Sequence, residues 1–272
     1  MTGMPPVVHL IDASPYLFRA WFSLPKTIVD DVGKPVNAVY GFMQFLGRYL
    51  ADEQATHAAV TFDRHFNHSF RNDFYAPYKA HREASPPELE AQVDPAVAAV
   101  ETLGIATFID ERYEADDLIA TLIERTQAAK TEYVIVSSDK DLAQLVSDRV
   151  TLVDPARRLR FDAAGVLEKF GVRPGQMTDF LGLAGDAVDN IPGVRGIGPK
   201  TAAQLLQRYG TLEGIYENVD AMKRSGVRSD ATLAAKLEAN VALAGLSKRL
   251  VTVSVEAPIE VTLEGLRING RG

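Results

Sequence analysis

Unbroken apolar runs, rather than strict alternation, mark the strands of this chain. Val7–Ile11 is mostly apolar up to Asp12, and Ala58–Phe62 up to Asp63. Tyr133–Val136 passes through two serines into Asp139. Runs of this length, rich in β-branched and aromatic residues, suit strands buried on both faces of a parallel sheet. Ala106–Ile109 is a weaker strand, and Val150–Val153 with Leu159–Phe161 reads as a hairpin around Pro155. Helical spacing covers Ala38–Ala51, Pro95–Leu103 and Asp116–Ala129. Strands alternating with helices predict an α/β fold, a mostly parallel sheet flanked by helices. After Gly171 the texture changes, and Gly and Pro cluster between Gly182 and Pro199. Short helices are expected over Thr201–Tyr209 and Thr211–Asn218, then from Val219 through about Leu246. A boundary near Arg173–Gln176 gives expected domains over 1–174 and 175–272. No internal repeat interrupts this order.

Composition narrows the picture. The 272 residues are 46% hydrophobic and 24% charged, enough for a sizeable core. With no Cys there are no disulfides, thiolate metal sites or cysteine nucleophiles, which fits a reducing compartment. The longest stretch free of Asp, Glu, Lys and Arg, Pro35–Gly47, is too short to span a membrane. No basic start precedes an apolar segment, so a cytoplasmic protein without a signal peptide is expected. The net charge of −7 argues, on its face, against a polyanionic partner.

The acids are not scattered. Asp12, Asp63 and Asp139 each follow a predicted strand, and ligands of open parallel sheets bind beyond the carboxyl ends of the strands. One such Asp is most simply a turn or a helix cap; three at equivalent ends form a rim. Glu114, Asp116 and Asp117 precede an apolar helix, Asp139 and Asp141 flank Lys140, and Asp186 and Asp189 stand three apart, on one face of a helical turn. A helix dipole asks for one or two acids in its first turn, not three. Nine carboxylates on one rim stay ionised only beside cations. Oxygen donors select hard ions, Mg²⁺ or Mn²⁺. Two ions ~3.5–4 Å apart serve in-line displacement at a phosphodiester. A glycosidase needs only two carboxylates. No Gly-x-Ser-x-Gly is present, position 14 is Ser rather than the acid of an Asp-x-Asp phosphatase, and His65 and His68 lack further ligands at zinc spacing.

Between Arg64 and Arg82 the charge inverts. Arg64, Arg71, Lys79 and Arg82 interleave with Phe66, Phe70, Phe74, Tyr75 and Tyr78. Cations that hold phosphates among aromatics that stack bases suit single-stranded or frayed nucleic acid. Phe70 and Phe74 are expected in the core, with Tyr78, Lys79 and Arg82 free to act. A second phosphate site is expected at Gly193-Val194-Arg195-Gly196-Ile197-Gly198-Pro199-Lys200-Thr201. Pro199 stands where a nucleotide P-loop has Lys, so the motif reads instead as a tight turn leading into a helix N-terminus.

Several stretches together resemble the flap endonuclease / 5′-3′ exonuclease family, as found in the N-terminal nuclease domain of bacterial DNA polymerase I and in stand-alone bacterial and phage relatives. They are Leu10–Asp12, Ala38–Phe42, Phe62-Asp63, Tyr78–Arg82, Glu114–Asp117, Ser138–Asp141, Gly185–Asn190 and Gly196–Ala202, in the expected order. The resemblance implies a PIN-like core, a helical arch over about 83–99, and a helix-three-turn-helix DNA-binding element over about 185–209. It implies one metal held mainly by Asp12, Asp63, Glu114, Asp116 and Asp139, with Asp117 close by, and a second shared by Asp139, Asp141, Asp186 and Asp189. It places Lys79 and Arg82 on the scissile phosphate and Tyr78 at a base-stacking position. Arg71, Gly193, Arg195, Gly196, Gly198, Lys200 and Thr201, from the basic segment and the glycine turn, are the further expected DNA contacts, and relatives can hold K⁺ on carbonyls of the Gly193–Gly198 turn. Ala13 stands where many relatives have Gly, and Arg195 where Lys is common. Since the sequence ends at Gly272, no polymerase domain is expected to follow.

The expected activity is hydrolysis of DNA carrying 5′ flaps, nicks or free 5′ ends, some of them RNA-primed, by a monomer, leaving 5′-phosphate and 3′-hydroxyl. A PIN-type ribonuclease and a catalytically silent structure-specific DNA-binding protein are the alternatives. The opening charge now reads differently. Without the nine rim acids, 27 acids face 29 Lys and Arg, a balance of +2, and two Mg²⁺ would bring the whole to −3.

Overall fold

The computed structural model describes residues 6–128 and 130–269. Strands β1 (Val7–Asp12), β2 (His57–Asp63), β3 (Ala106–Asp110), β4 (Glu132–Val136), β5 (Val150–Asp154) and β6 (Leu159–Phe161) form one sheet in the order β3-β2-β1-β4-β5-β6. All neighbours are parallel except the β5–β6 hairpin, where Leu152 faces Phe161. The central strands lack a polar face because both faces are covered. Leu10 belongs to one apolar cluster and Ile11 to the other, as alternating side chains require.

On one face lie helices α1 (Ser14–Ser23), α2 (Asn37–Asp52), α3 (Pro87–Glu90) and α4 (Val93–Thr102). Phe42, Leu46 and Phe62 fill the space beneath them. On the other lie α5 (Ala115–Thr126), then α6 (Ala163–Phe170), α7 (Met177–Ala184), α8 (Pro199–Tyr209), α9 (Leu212–Glu217), α10 (Val219–Lys223), α11 (Arg228–Ala239) and α12 (Val241–Val251). Their cluster joins Leu10, Ile119 and Ile135 to Leu181, Leu206, Leu237 and Leu250. It therefore crosses the boundary expected at 174/175.

Two expectations change here. The 83–99 segment does not stand off as an arch. Leu89, Val93, Ala96 and Val100 are buried in the core, and Gln92 Oε1 accepts from the Ala38 amide at 2.8 Å. Asp186 and Asp189 are close through a tight turn, not a helix: Asp186 and Ile191 exchange backbone hydrogen bonds of 2.9 and 2.7 Å around it. Helices α1, α6 and α7 were not foreseen, because each is short and lies beside stronger strand or glycine signals.

The sheet order sets the site. From β1 the chain builds outward through β2 and β3 on one side, and through β4 and β5 on the other. The crevice at this switch point, beyond the carboxyl ends of β1 and β4, is where open α/β sheets bind ligands.

Candidate active site

A cleft of about 230 Å³ opens at that switch point, room for ions, waters and one phosphate but not for a duplex. Asp12, Asp63, Glu114, Asp116 and Asp139 line it together with Lys79 and Arg82. The backbone accounts for the convergence. Asp12 ends β1 and Asp63 ends β2, two positions beyond the Thr61 that pairs with Asp12. Glu114 and Asp116 open α5, where Glu114 caps the helix and Asp117 bonds back to its amide. Asp139 follows β4 by three residues.

Two serines orient the acids. Ser14 Oγ donates to Asp63 Oδ2 at 2.6 Å, and its amide to Asp12 Oδ1 at 3.1 Å. Ser137 Oγ donates to the other Asp12 oxygen at 2.7 Å and accepts from the Asp139 amide at 3.0 Å. Neither was singled out by sequence reasoning. Their signal was position alone, each within two residues of a rim Asp.

Asp141, Asp186 and Asp189 extend the acidic surface from the flank of the cleft. The Asp139 carboxylate accepts from the Asp141 amide at 2.8 Å, and Lys140 pairs with Asp186. Buried Asp141 Oδ1 accepts no hydrogen bond; its nearest ammonium, Lys140 Nζ, is 3.4 Å away. Lys79 donates to Glu114, and Arg82 to Asp189.

The electrostatics are those of a cation site. Burial, then the neighbouring Asp63 charge, pushes Asp12 up to about 8. Burial and Asp139 push Asp141 up to about 8, and burial with four surrounding carboxylates raises Asp116 well above the carboxylate range. Burial also raises Asp63 and Asp139. Glu114 goes the other way: burial opposes its charge, but Lys79 and Arg71 overcome that and hold it below its ordinary value. Crowded carboxylates that resist ionisation, plus an orphaned buried oxygen, fit hard divalent ions. Among the described residues no three acids or histidines stand close enough together to hold a metal ion; the acids line an open cleft.

Four expected contacts are corrected. Arg71 is only 2% exposed, and all its guanidinium donors are used inside the protein, so it has none for DNA. Asp117 is fully buried, and its two oxygens take bonds from Arg71, the Glu114 amide and the Ser254 amide, leaving no lone pair aimed at the cleft. Tyr78 is 3% exposed with its hydroxyl on Glu114 at 3.0 Å, so its ring offers no face to a base. Of the expected core positions Phe70 and Phe74, both are half-buried, and Phe74 packs against the core cluster. Gly193 is buried and its amide donates to Ser247 Oγ at 2.9 Å. Arg195, Gly196, Gly198 and Lys200 are exposed, Thr201 partly so, at the N-terminus of α8, which no side chain caps.

Family models for the 5′-3′ exonuclease N-terminal resolvase-like domain and the 5′-3′ exonuclease C-terminal SAM fold match residues 7–171 and 172–271. The chain belongs to the 5′-3′ exonuclease family. Among curated relatives, DNA polymerase I of Pseudomonas aeruginosa is 42% identical over 94% of this chain, and that of Bacillus subtilis 37% over 96%. The chain spans only 28% and 29% of the length of those two relatives. Its fold matches the T5 D15 protein co-crystallised with metal ions, with a TM-score of 0.74 at 20% identity over 90% of this chain and 89% of that one. The catalytic core of Rad2 in complex with DNA substrate matches with a TM-score of 0.57 at 15% identity over 88% and 74%. No helix among the described residues is long and apolar enough to cross a membrane.

Proposed function

We propose that this chain is a structure-specific 5′ nuclease that hydrolyses DNA at 5′ flaps, nicks and free 5′ ends, leaving 5′-phosphate and 3′-hydroxyl. The observation that carries the reading is the meeting of Asp12, Asp63, Glu114, Asp116 and Asp139 with Lys79 and Arg82 in one cleft. Fold neighbours, a T5 flap endonuclease complex with DNA and metal ions and Rad2 with DNA substrate, support it.

Asp12, Asp63, Glu114, Asp116 and Asp139 would hold one Mg²⁺ or Mn²⁺, and Asp139, Asp141, Asp186 and Asp189 a second. Two such ions supply an activated water and a stabilised leaving oxygen. The chain's own residues do the rest. Ser14 and Ser137 hold the Asp63 and Asp12 carboxylates in place. Lys79 and Arg82 exchange their carboxylate partners for the scissile phosphate and stabilise its developing charge. Arg195, Gly196, Gly198, Lys200 and Thr201, in a helix-three-turn-helix over 185–209, grip the duplex backbone through exposed cations and the uncapped amides of α8. A K⁺ on the Gly193–Gly198 turn would compete with Lys236, whose ammonium already donates to the Gly196 carbonyl at 2.9 Å. In this reading residues 1–174 cut, 175–272 hold the duplex, and the chain works as a monomer on bacterial DNA in the cytoplasm.

The test is cleavage of end-labelled flap, nicked and single-stranded DNA, and of RNA of the same sequence, with and without Mg²⁺. Flap DNA should be cut only with the ion. Asp139→Ala should abolish cutting and leave flap affinity within a few-fold. Full Mg²⁺-dependent activity in that variant would overturn the assignment, and preferred cutting of RNA would make the chain a ribonuclease.

A further inference from the structure

The cleft is wired to a part of the chain far from it in sequence. The end of α12 and the backbone beyond it, Leu250–Ala257, run as a strap behind the N-terminus of α5. Arg71 joins the two. Its Nε donates to the Leu250 carbonyl at 2.7 Å and one terminal nitrogen to the Thr252 carbonyl at 3.2 Å. The same nitrogen donates to Asp117 Oδ1 at 2.9 Å. The other donates to Asp117 Oδ2 at 2.8 Å and to Glu114 Oε2 at 3.0 Å. Every arm of the guanidinium is thus committed, and a planar fork with fixed angles holds its partners in one geometry.

The strap has further ties. Its Ser254 amide donates to Asp117 Oδ1 at 2.7 Å. Gln144 donates to the Val251 carbonyl at 2.9 Å and to the Asp141 carbonyl at 2.8 Å, and accepts from the Val253 amide at 3.1 Å. Arg249 stacks on Phe74, 3.8 Å from the ring centre, beside the Arg71 turn. Of the carboxylates in this network, only Glu114 lines the cleft.

We infer that Arg71 and Asp117 are positioning residues that fix the Glu114 carboxylate to the Leu250–Ser254 strap, so that the C-terminal segment sets the geometry of the active-site cleft. The inference rests on the metal-nuclease reading of that cleft. Groups that orient a ligating carboxylate change metal affinity or activity by about 10–100-fold when removed. A merely structural buried ion pair would lower thermal stability and leave the folded protein's metal affinity alone.

The experiment uses the full chain and three variants. Arg71→Lys keeps the charge and loses the fork. Gln144→Ala cuts the strap's anchor beside Asp141 without removing a charge. Ser254→Pro removes the strap's amide donor to Asp117. Mn²⁺ binding is followed by titration calorimetry without DNA, flap cleavage by kcat and KM, and folding by circular dichroism. Arg71→Lys is expected to lower both Mn²⁺ affinity and kcat about 10-fold or more, with KM within about 2-fold. Ser254→Pro should do the same, and Gln144→Ala, the mildest change, should shift both in the same direction. Folded variants with wild-type Mn²⁺ affinity and kcat would overturn the inference. A rise in KM alone would also overturn it and return Arg71 to the DNA interface. If the wild type neither binds Mn²⁺ nor cuts DNA, the nuclease reading itself fails, an outcome separate from failure of the strap.

Discussion

Asp12 and Asp141 show what the cleft costs the protein. Both are pushed up to about 8, chiefly by burial and then by adjacent carboxylates. An unfolded Asp titrates near about 3.9, so folding favours the protonated form of each. The stability they lend is complete below about pH 4 and is lost as pH rises through about 8. In EDTA the melting temperature should therefore fall between about pH 4 and 8. Added Mg²⁺ should raise it most at the upper end, where binding has fewer protons to displace. A melting temperature that climbs across this window in EDTA would contradict the carboxylate crowding. Which acids share the rim could be read from residue type and strand ends. Which of them keep free oxygens could not: Asp117 sits one residue from Asp116, yet its oxygens are turned away to Arg71 and the strap.

The loop between α7 and α8 has a tightly constrained backbone. Gly193 has φ +60°, and a Cβ there would lie 2.4 Å from the Gly185 amide nitrogen. Left-handed strain alone costs about 1–3 kcal/mol, and backbone cannot yield to the clash. Gly193→Ala should lose at least about 2 kcal/mol in urea unfolding. Gly198→Ala, with φ −95° and open space around it, should stay within about 1 kcal/mol of wild type. The same element carries the exposed Lys200. Lys200→Ala should reduce the slope of log affinity against log salt by about 1; an unchanged slope would remove Lys200 from the interface. Glycine spacing announced this turn. The 83–99 segment shows the opposite case, since its packing depends on Gln92 reaching the start of α2, a contact no periodicity encodes.

Across the whole molecule, one apolar cluster unites the sheet with the C-terminal helices, and the strap ties those helices to α5. Unfolding should therefore be a single calorimetric transition; two resolved transitions would mean that the region after Gly171 folds alone. The net charge of −7 is mostly local apparatus, since the acids concentrate where the strands end and exposed cations remain around α8. Short-range pattern was sufficient for the α/β class, the Asp-terminated strands and the oxygen-only donor set, because apolar runs dictate burial and donor type dictates the ion. It could not say that Tyr78 and Arg71 turn inward, that Ser14 and Ser137 orient the acids, or that Leu250–Ser254 braces Glu114. Those outcomes depend on contacts between residues as much as 179 positions apart, which form only when the two faces of the sheet have closed.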